Sequence, residues 1–301
     1  MKKLTALIMA LTMVLALAAC DFGASSEGDT TGSQPTEAQT TPSQTDSQPT
    51  APSEPVGFYA LAGMNVVTAE REIRVDISYD DHGRMLGYEI WMDGAMQQGN
   101  RMEYTADGTP LTNYTYGPDG AEISRQVYTQ MDNGKWTEMR TTADGVSYRT
   151  EMERDSEGRP VEQRRYNEND ELASRTKYEY DSQGRVTKEV ELNDQDMETT
   201  VREYIYDESG NLTEFRMRGG DMLILHYLYT YEAGRLVKRV SQTEDGLSYR
   251  YEYDERGKLS KVIQDEIVME LHYEKLELSQ EDGDALEDAV ATIIENAFVL
   301  M

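Results

Sequence analysis

A tyrosine-aspartate pair, two spacer residues, a glycine, a basic or amide residue and an aliphatic residue return along this chain at a nearly constant interval, and that recurrence restricts the fold more than any other feature. The pattern is plain in Tyr79-Asp80-Asp81-His82-Gly83-Arg84-Met85 and Tyr180-Asp181-Ser182-Gln183-Gly184-Arg185-Val186. It returns in Tyr206-Asp207-Glu208-Ser209-Gly210-Asn211-Leu212 and Tyr253-Asp254-Glu255-Arg256-Gly257-Lys258-Leu259. Gly83, Gly108, Gly134, Gly158, Gly184, Gly210, Gly234 and Gly257 close the turns, at spacings of 25, 26, 24, 26, 26, 24 and 23 residues. A fixed period of this length marks one supersecondary unit used repeatedly. Aspartate bonds the backbone two residues on, and glycine supplies the positive φ that returns the chain antiparallel, so each copy predicts a hairpin. A second set of turns at Asp93-Gly94, Asp119-Gly120, Asp144-Gly145 and Asp245-Gly246 falls between them. The chain therefore reverses about every twelve or thirteen residues, which predicts a β-meander of about 17 strands running from residues 73–79 to residues 267–273.

Alternation within those strands places tyrosines on one face and charge on the other. Tyr249, Tyr251 and Tyr253 oppose Ser248, Arg250 and Glu252; Tyr178 and Tyr180 oppose Lys177 and Glu179; Tyr204 and Tyr206 oppose Glu203 and Ile205. With twenty tyrosines and only four phenylalanines, cross-strand tyrosine ladders take the place of much aliphatic core. Open twisted sheets rarely exceed about ten strands without bending, so the expected fold is all-β, an elongated curved antiparallel β-meander. The same seven tyrosines, Tyr178, Tyr180, Tyr204, Tyr206, Tyr249, Tyr251 and Tyr253, form the expected ligand face. An outer-membrane barrel needs a continuous lipid-facing apolar band, and the strand with Arg175, Lys177, Glu179 and Asp181 alternating against Ser174 and Thr176 lacks one.

Beyond the repeats, residues 279–301 read as an amphipathic helix. Asp284 and Glu287 stand in capping-box spacing, and Leu286, Val290, Ile293, Ile294, Ala297 and Phe298 fall at helical intervals. Its expected task is to cover the last sheet edge or the apolar face, as terminal caps do in repeat proteins. Residues 277–301 carry seven acids and no Lys or Arg, which disfavours docking on anionic lipid.

The amino terminus carries an address. Lys2 and Lys3, an apolar stretch from Leu4 and small residues before Cys20 have the form of a secretory signal over residues 1–19. Residues 20–55 are dominated by Ser, Thr, Gln, Pro, Gly and Ala, with no base, and predict a solvated tether with a root-mean-square span of roughly 30–35 Å. The 56–278 segment holds the repeats. Removing residues 1–19 takes the formal charge from −28 to −30, which excludes nucleic acid as a partner and leaves lipid to do any anchoring.

Two resemblances follow from these motifs. Leu17-Ala18-Ala19-Cys20 resembles the lipobox of bacterial lipoproteins, which implies a diacylglyceryl and palmitoyl group on Cys20 and an extracytoplasmic, membrane-anchored protein. The Tyr-Asp-x-x-Gly-Arg units over residues 73 to 273 resemble the YD repeats of RHS-type bacterial proteins, with MORN-like repeats as the nearest competitor. The unit is longer here than in that family, and copies such as Tyr231-Glu232-Ala233-Gly234 and Asp132-Asn133-Gly134 depart from it. The resemblance implies strand and turn chemistry, and by extension a place as accessory or immunity-type partner of an RHS-like toxin system.

Catalytic signatures are sparse. His82, His226 and His272 are widely separated and outside any HExxH arrangement, and no GxSxG elbow, P-loop or GxGxxG is present. The single cysteine, Cys20, is assigned to lipid. Asp194 with Asp196 and Asp282 with Asp284 are close carboxylates, but neither pair fits an EF-hand loop. The expectation is a non-enzymatic envelope binding or scaffold module, with no cofactor and no metal, for a glycan, cell-wall or protein ligand. An envelope hydrolase is the remote alternative.

Overall fold

The structure, a computed structural model, describes residues 56–68, 71–132, 135–243 and 246–294. The expected signal peptide, Cys20 and tether lie outside the described residues, as do Asn133, Gly134, Asp245, Ala297 and Phe298. The first nine strands are β1 (Val56–Val67), β2 (Glu72–Tyr79), β3 (Met85–Met92), β4 (Ala95–Tyr104), β5 (Pro110–Tyr116), β6 (Glu122–Asp132), β7 (Lys135–Ala143), β8 (Val146–Arg154) and β9 (Pro160–Tyr166). The second nine are β10 (Leu172–Tyr180), β11 (Val186–Asn193), β12 (Glu198–Tyr206), β13 (Leu212–Gly219), β14 (Met222–Glu232), β15 (Arg235–Ser241), β16 (Ser248–Tyr253), β17 (Leu259–Gln264) and β18 (Ile267–Leu278). A helix, α1 (Gln280–Ile294), follows.

Every strand pairs antiparallel with its neighbour in sequence, and β1 pairs with both β18 and β2, so the sheet closes into a barrel. This corrects the expected open, elongated meander of about 17 strands. The extra strand is β1, and it is the one that joins the two ends. It carries no Tyr-Asp turn before it, and a register shift between Leu61 and Gly63 interrupts its alternation. Gly63 is required there, because a Cβ at that position would run into the Val75 carbonyl oxygen.

Antiparallel pairing around a ring puts successive turns on opposite rims. A period of about 26 residues, two strands and two turns, therefore gathers the Tyr-Asp turns on one rim, called upper here, with the start of β1 and with α1. Their chemistry repeats. Asp181 Oδ1 accepts the backbone N–H groups of Gln183 and Arg185 at 2.9 and 3.0 Å, and Oδ2 accepts Arg185 Nε at 2.7 Å. Asp80 and Asp155 do the same with their own turn residues. Each turn is then tied to the next repeat. The tyrosine hydroxyl donates to the carbonyl of the residue two after the preceding turn glycine: Tyr104 to Met85 at 2.8 Å, Tyr180 to Pro160 at 2.6 Å, and Tyr206 to Val186, Tyr253 to Leu236 and Tyr273 to Leu259 at 3.0 Å each. The arginine following the glycine lies over that same ring, Arg185 at 4.4 Å from Tyr206 and Arg159 at 4.8 Å from Tyr180. The conserved-looking letters of the unit are thus the contacts that fasten one hairpin to the next.

Buried side chains sit on one face of the ring. Ile73, Val75, Met85, Tyr88, Ile90, Met102, Phe215, Tyr227, Tyr251, Val262 and Met269 join α1 residues Leu286, Val290 and Ile293 in one core. The helix packs chiefly against β1, with a smaller contact to β18, and meets the turns at Gly83 and Lys258, so the closed sheet itself covers Met85, Ile90 and Met102; the apolar face is the inner one. A smaller cluster of Tyr128, Trp136 and Met139 lies on β6 and β7, and between the two an amide ladder runs from Asn100 to Asn113 at 2.5 Å and on to Gln126 at 3.3 Å. The outward faces of β8 to β11 carry charge instead, with Arg149 bound to Glu151 and Asp170, Arg164 to Glu153 and Glu162 at 2.7 Å, and Arg175 to Asp196. That wall has no apolar band.

The helix lies at the upper rim as a cap and starts at Gln280. Ser279 is its N-cap, its hydroxyl accepting the Asp282 N–H at 3.1 Å, and Gly283 is inside the helix because the Phe58 ring occupies the place of a side chain. With no open edge left in the ring, its cover falls on the apolar mouth alone.

Two outcomes follow. Tyr206→Phe removes a donor from a partly buried carbonyl and should cost about 0.5–1.5 kcal/mol, seen as a lower urea midpoint with an unchanged slope. The Arg185 side chain at Asp181, the Arg159 backbone N–H at Asp155 and the Asn211 amide at Asp207 hold these carboxyls below the usual aspartate range. Groups lowered in the folded state stabilise it above the unfolded aspartate value of about 3.9 and lose that contribution as pH falls through their folded values. Stability should therefore be level above about pH 5 and drop below about pH 4. Asp181→Asn should flatten that drop in acid titrations followed by circular dichroism.

Candidate functional site

The seven tyrosines of the expected ligand face point to the inner wall. Tyr249 and Tyr251 are buried and flank the core with Arg239, whose guanidinium lies 4.5 Å from the Tyr227 ring and 4.0 Å from the Tyr249 ring. Tyr178 donates to Gln163 at 3.2 Å and Tyr204 to Glu189 at 2.8 Å, while Tyr180, Tyr206 and Tyr253 bond the carbonyls named above. Burial, reinforced by Glu189, pushes the Tyr204 hydroxyl well above the ordinary tyrosine range; burial does the same for Tyr251 against the opposing pull of Arg239. These rings hold strands and rim together, and Tyr249 and Tyr251 have no exposed face for a sugar to stack on.

The three histidines are apart. His226 Nε2 lies 2.6 Å from Glu214 on β13, His82 Nδ1 3.4 Å from Asp282, and His272 Nε2 3.1 Å from the Asn65 amide. Among the described residues no three His, Cys, Asp or Glu side chains gather as a metal site. Asp196 binds Arg175, Asp282 bonds Ser279, and Asp284 accepts from the Gln280 amide at 2.7 Å.

Two cavities stand out. One of about 430 Å³ at the upper rim separates Val290, Ala291 and Ile294 of α1 from Tyr206, Tyr231, Tyr253 and Tyr273. The other, of about 520 Å³, is a groove on the outer wall of β2 to β5. Asp76, sitting between the buried Val75 and Ile77, points outward, and register carries that face to Glu89, Gly99 and Tyr116 on successive strands. Two strand residues beside the groove carry no side chain, and both are closely approached. A Cβ at Gly87 would meet the Asn100 carbonyl, and one at Gly99 would enter the Tyr116 ring. Ile77, Tyr88, Asn100 and Met102 line it together with the outward-facing Asp76, Leu86, Glu89, Arg101 and Tyr116. Glycine inside a strand commonly marks such a close approach.

Its polar groups are already aimed. Tyr116 donates to Glu89 Oε1 at 3.3 Å, and burial together with that carboxylate raises its hydroxyl above the usual range. Asp76 accepts from Arg74 Nε at 3.0 Å, with Arg74 5.1 Å from the Trp91 ring. Asp76 and Glu89 are direct cross-strand partners, a like-charge pairing that also occurs at Glu138 with Glu151 and at Glu153 with Glu162. Arg101 stands diagonally across, 5.9 Å from the Tyr114 ring. None of these residues belonged to the expected ligand face. The available signals were Gly87 and Gly99 interrupting two strands of good alternation, and an acid facing an acid.

A family model described as "Uncharacterised protein" matches residues 137–268. No curated protein matches. Among solved structures, the chain is similar to a porin-like protein from Bacteroides uniformis ATCC 8492, with 11% identity, 74% of this chain and 99% of that chain covered and a TM-score of 0.40. It is similar to a porin-like protein from Bacteroides vulgatus ATCC 8482 at 13% identity, 71% and 98% coverage and a TM-score of 0.39. The TcdB2-TccC3-TEV structure matches at 16% identity over 64% of this chain and 11% of that chain, with a TM-score of 0.28.

Gly99→Ala should push the Tyr116 ring away from Glu89. The Tyr116 hydroxyl would then titrate closer to the ordinary value of about 10, followed by NMR of carbon-labelled tyrosine; an unmoved titration would show that Gly99 does not seat the ring.

Proposed function

We propose that this chain is a non-enzymatic binding module of the bacterial cell envelope, held to a membrane by lipid on Cys20, with the outer-wall groove as its glycan site. The observation that carries this reading is the groove itself: a recess of about 520 Å³ lined by a tyrosine, two carboxylates and an arginine. Sugar hydroxyls are small donors and acceptors on an apolar ring. Fixed carboxylates accept from them, an arginine donates to them, and an aromatic ring covers the C–H face. Asp76 and Glu89 are each engaged by a neighbour, Arg74 and Tyr116, which suits them to hold a ligand rather than to shuttle protons. The anionic surface also favours neutral saccharides over acidic polymers.

The test is retention of the purified protein on isolated cell walls and on a panel of neutral oligosaccharides, with and without calcium. Wild type should be retained on at least one glycan, and Tyr116→Ala and Glu89→Gln should each weaken that retention about tenfold, the loss of roughly 1.4 kcal/mol. Equal retention of all three proteins would move the site elsewhere.

A second reading is favoured by the rim, where the Tyr-Asp turns interlock as a YD-type scaffold would require. An accessory of an RHS-like toxin system would have a polymorphic toxin gene beside it; a neighbourhood of unrelated transport or wall genes would count against this.

A further inference from the structure

Among the described lower-rim turns, the tip of the β13–β14 hairpin stands apart by its run of exposed apolar residues. Met222, Leu223 and Ile224 follow one another with 71%, 44% and 43% of their surface exposed. A register shift between Met217 and Arg218 makes Ile224 an extra residue between Leu223 and Leu225, so alternation is interrupted at the tip and all three side chains reach solvent. It is nevertheless ordered. Gly220 donates its N–H to the Thr199 carbonyl on β12 at 3.3 Å, and the Ile224 side chain folds over Gly219, where a Cβ would stand 2.8 Å from Cδ1. Met197, 54% exposed, adds to the patch from the adjoining β11–β12 turn. Scattered single apolar residues need no explanation, but four contiguous ones at an ordered protrusion do.

What surrounds the patch chooses its occupant. Asp194, Glu198 and Asp221 are all exposed on the same two loops, and none of them is in an ion pair among the described residues. The nearest bases are spent, Arg175 on Asp196 and Arg218 on Glu203 at 3.4 Å. An apolar centre with an unneutralised acidic rim repels an anionic bilayer and repels a second copy of itself. It complements a protein surface with an apolar recess bordered by Lys or Arg. Methionine suits the centre of such a contact because it adapts its shape. The position agrees: the patch is on the rim opposite the start of β1, so a chain tethered through its amino terminus presents this end away from the attachment.

We infer that the lower-rim tip, Met197 with Met222, Leu223 and Ile224, is a docking finger for a protein partner carrying a basic-rimmed apolar recess. This surface is separate from the glycan groove and does not depend on it.

The experiment places a photoreactive residue at the tip of the full-length protein, as Met222→p-benzoylphenylalanine, with Gln183→p-benzoylphenylalanine on the upper rim as control, and irradiates cells of the source organism. The finger predicts a single protein adduct from position 222 and none from 183, mapped by mass spectrometry to a peptide flanked by Lys or Arg. The combined Asp194→Asn, Glu198→Gln and Asp221→Asn changes, all on the surface, should cut the adduct at least fivefold while leaving the urea midpoint in place. Adducts only to lipid, only to a second copy, or insensitive to the charge changes would overturn the inference, as would no adduct at all.

Discussion

Pairing of β1 with two partners at once is the interaction on which the rest depends. Seventeen strands fed by hairpin turns make a sheet with two bare edges and one apolar face, and a single fifteen-residue helix cannot cover that face. Once β1 bonds β18 along one side and β2 along the other, edges vanish and the apolar face becomes an interior. Met85, Ile90 and Met102 are then buried with no second layer. The inner tyrosines acquire neighbours around the ring, and the helix is left to close a mouth.

The closed ring also sorts chemistry by position. Inside are mostly rings and aliphatic groups, with Arg239 kept 2% exposed between aromatic faces and Arg202 paired with Glu189 beside Tyr204. Outside is a lattice of charged pairs, each worth about 0–1 kcal/mol at best, which makes the wall soluble more than it makes it stable. The upper rim is mechanical, a belt of aspartate turns, arginines and tyrosine hydroxyls passing load from repeat to repeat. The groove beside Gly87 and Gly99 and the apolar tip at Met222 are two places where the wall departs from this division. Departures of this kind are where binding is to be sought.

The turns, hairpins and strand alternation were legible in the sequence because their determinants are local: an aspartate, a glycine and a period of two. Closure was not, because it is settled by one strand without a turn signal whose alternation is reset at Gly63. The amphipathic helix was legible from its apolar intervals over residues 279–301; it starts at Gln280, with Gly283 inside it as the seat of the Phe58 ring. The tyrosine rows were correctly grouped on one face, and the face proved to be the inner one. Which side of a sheet is inside depends on whether the sheet closes, so this followed from the same missed strand. Tyr116 was passed over because its role rests on Gly99, one strand away, and no sequence window shows that pair.

Asn65 is opposite Arg74 on β2 and opposite Glu270 on β18, so ring closure can be read from one position. In a chain with Cys20→Ala, Asn65→Cys is combined either with Arg74→Cys or with Glu270→Cys, and mild oxidation of the folded protein is followed by mass spectrometry. Directly opposed antiparallel residues are within disulfide reach, so both pairs should cross-link in good yield. If Asn65→Cys joins one neighbour and never the other, the sheet is open and the account of its interior fails.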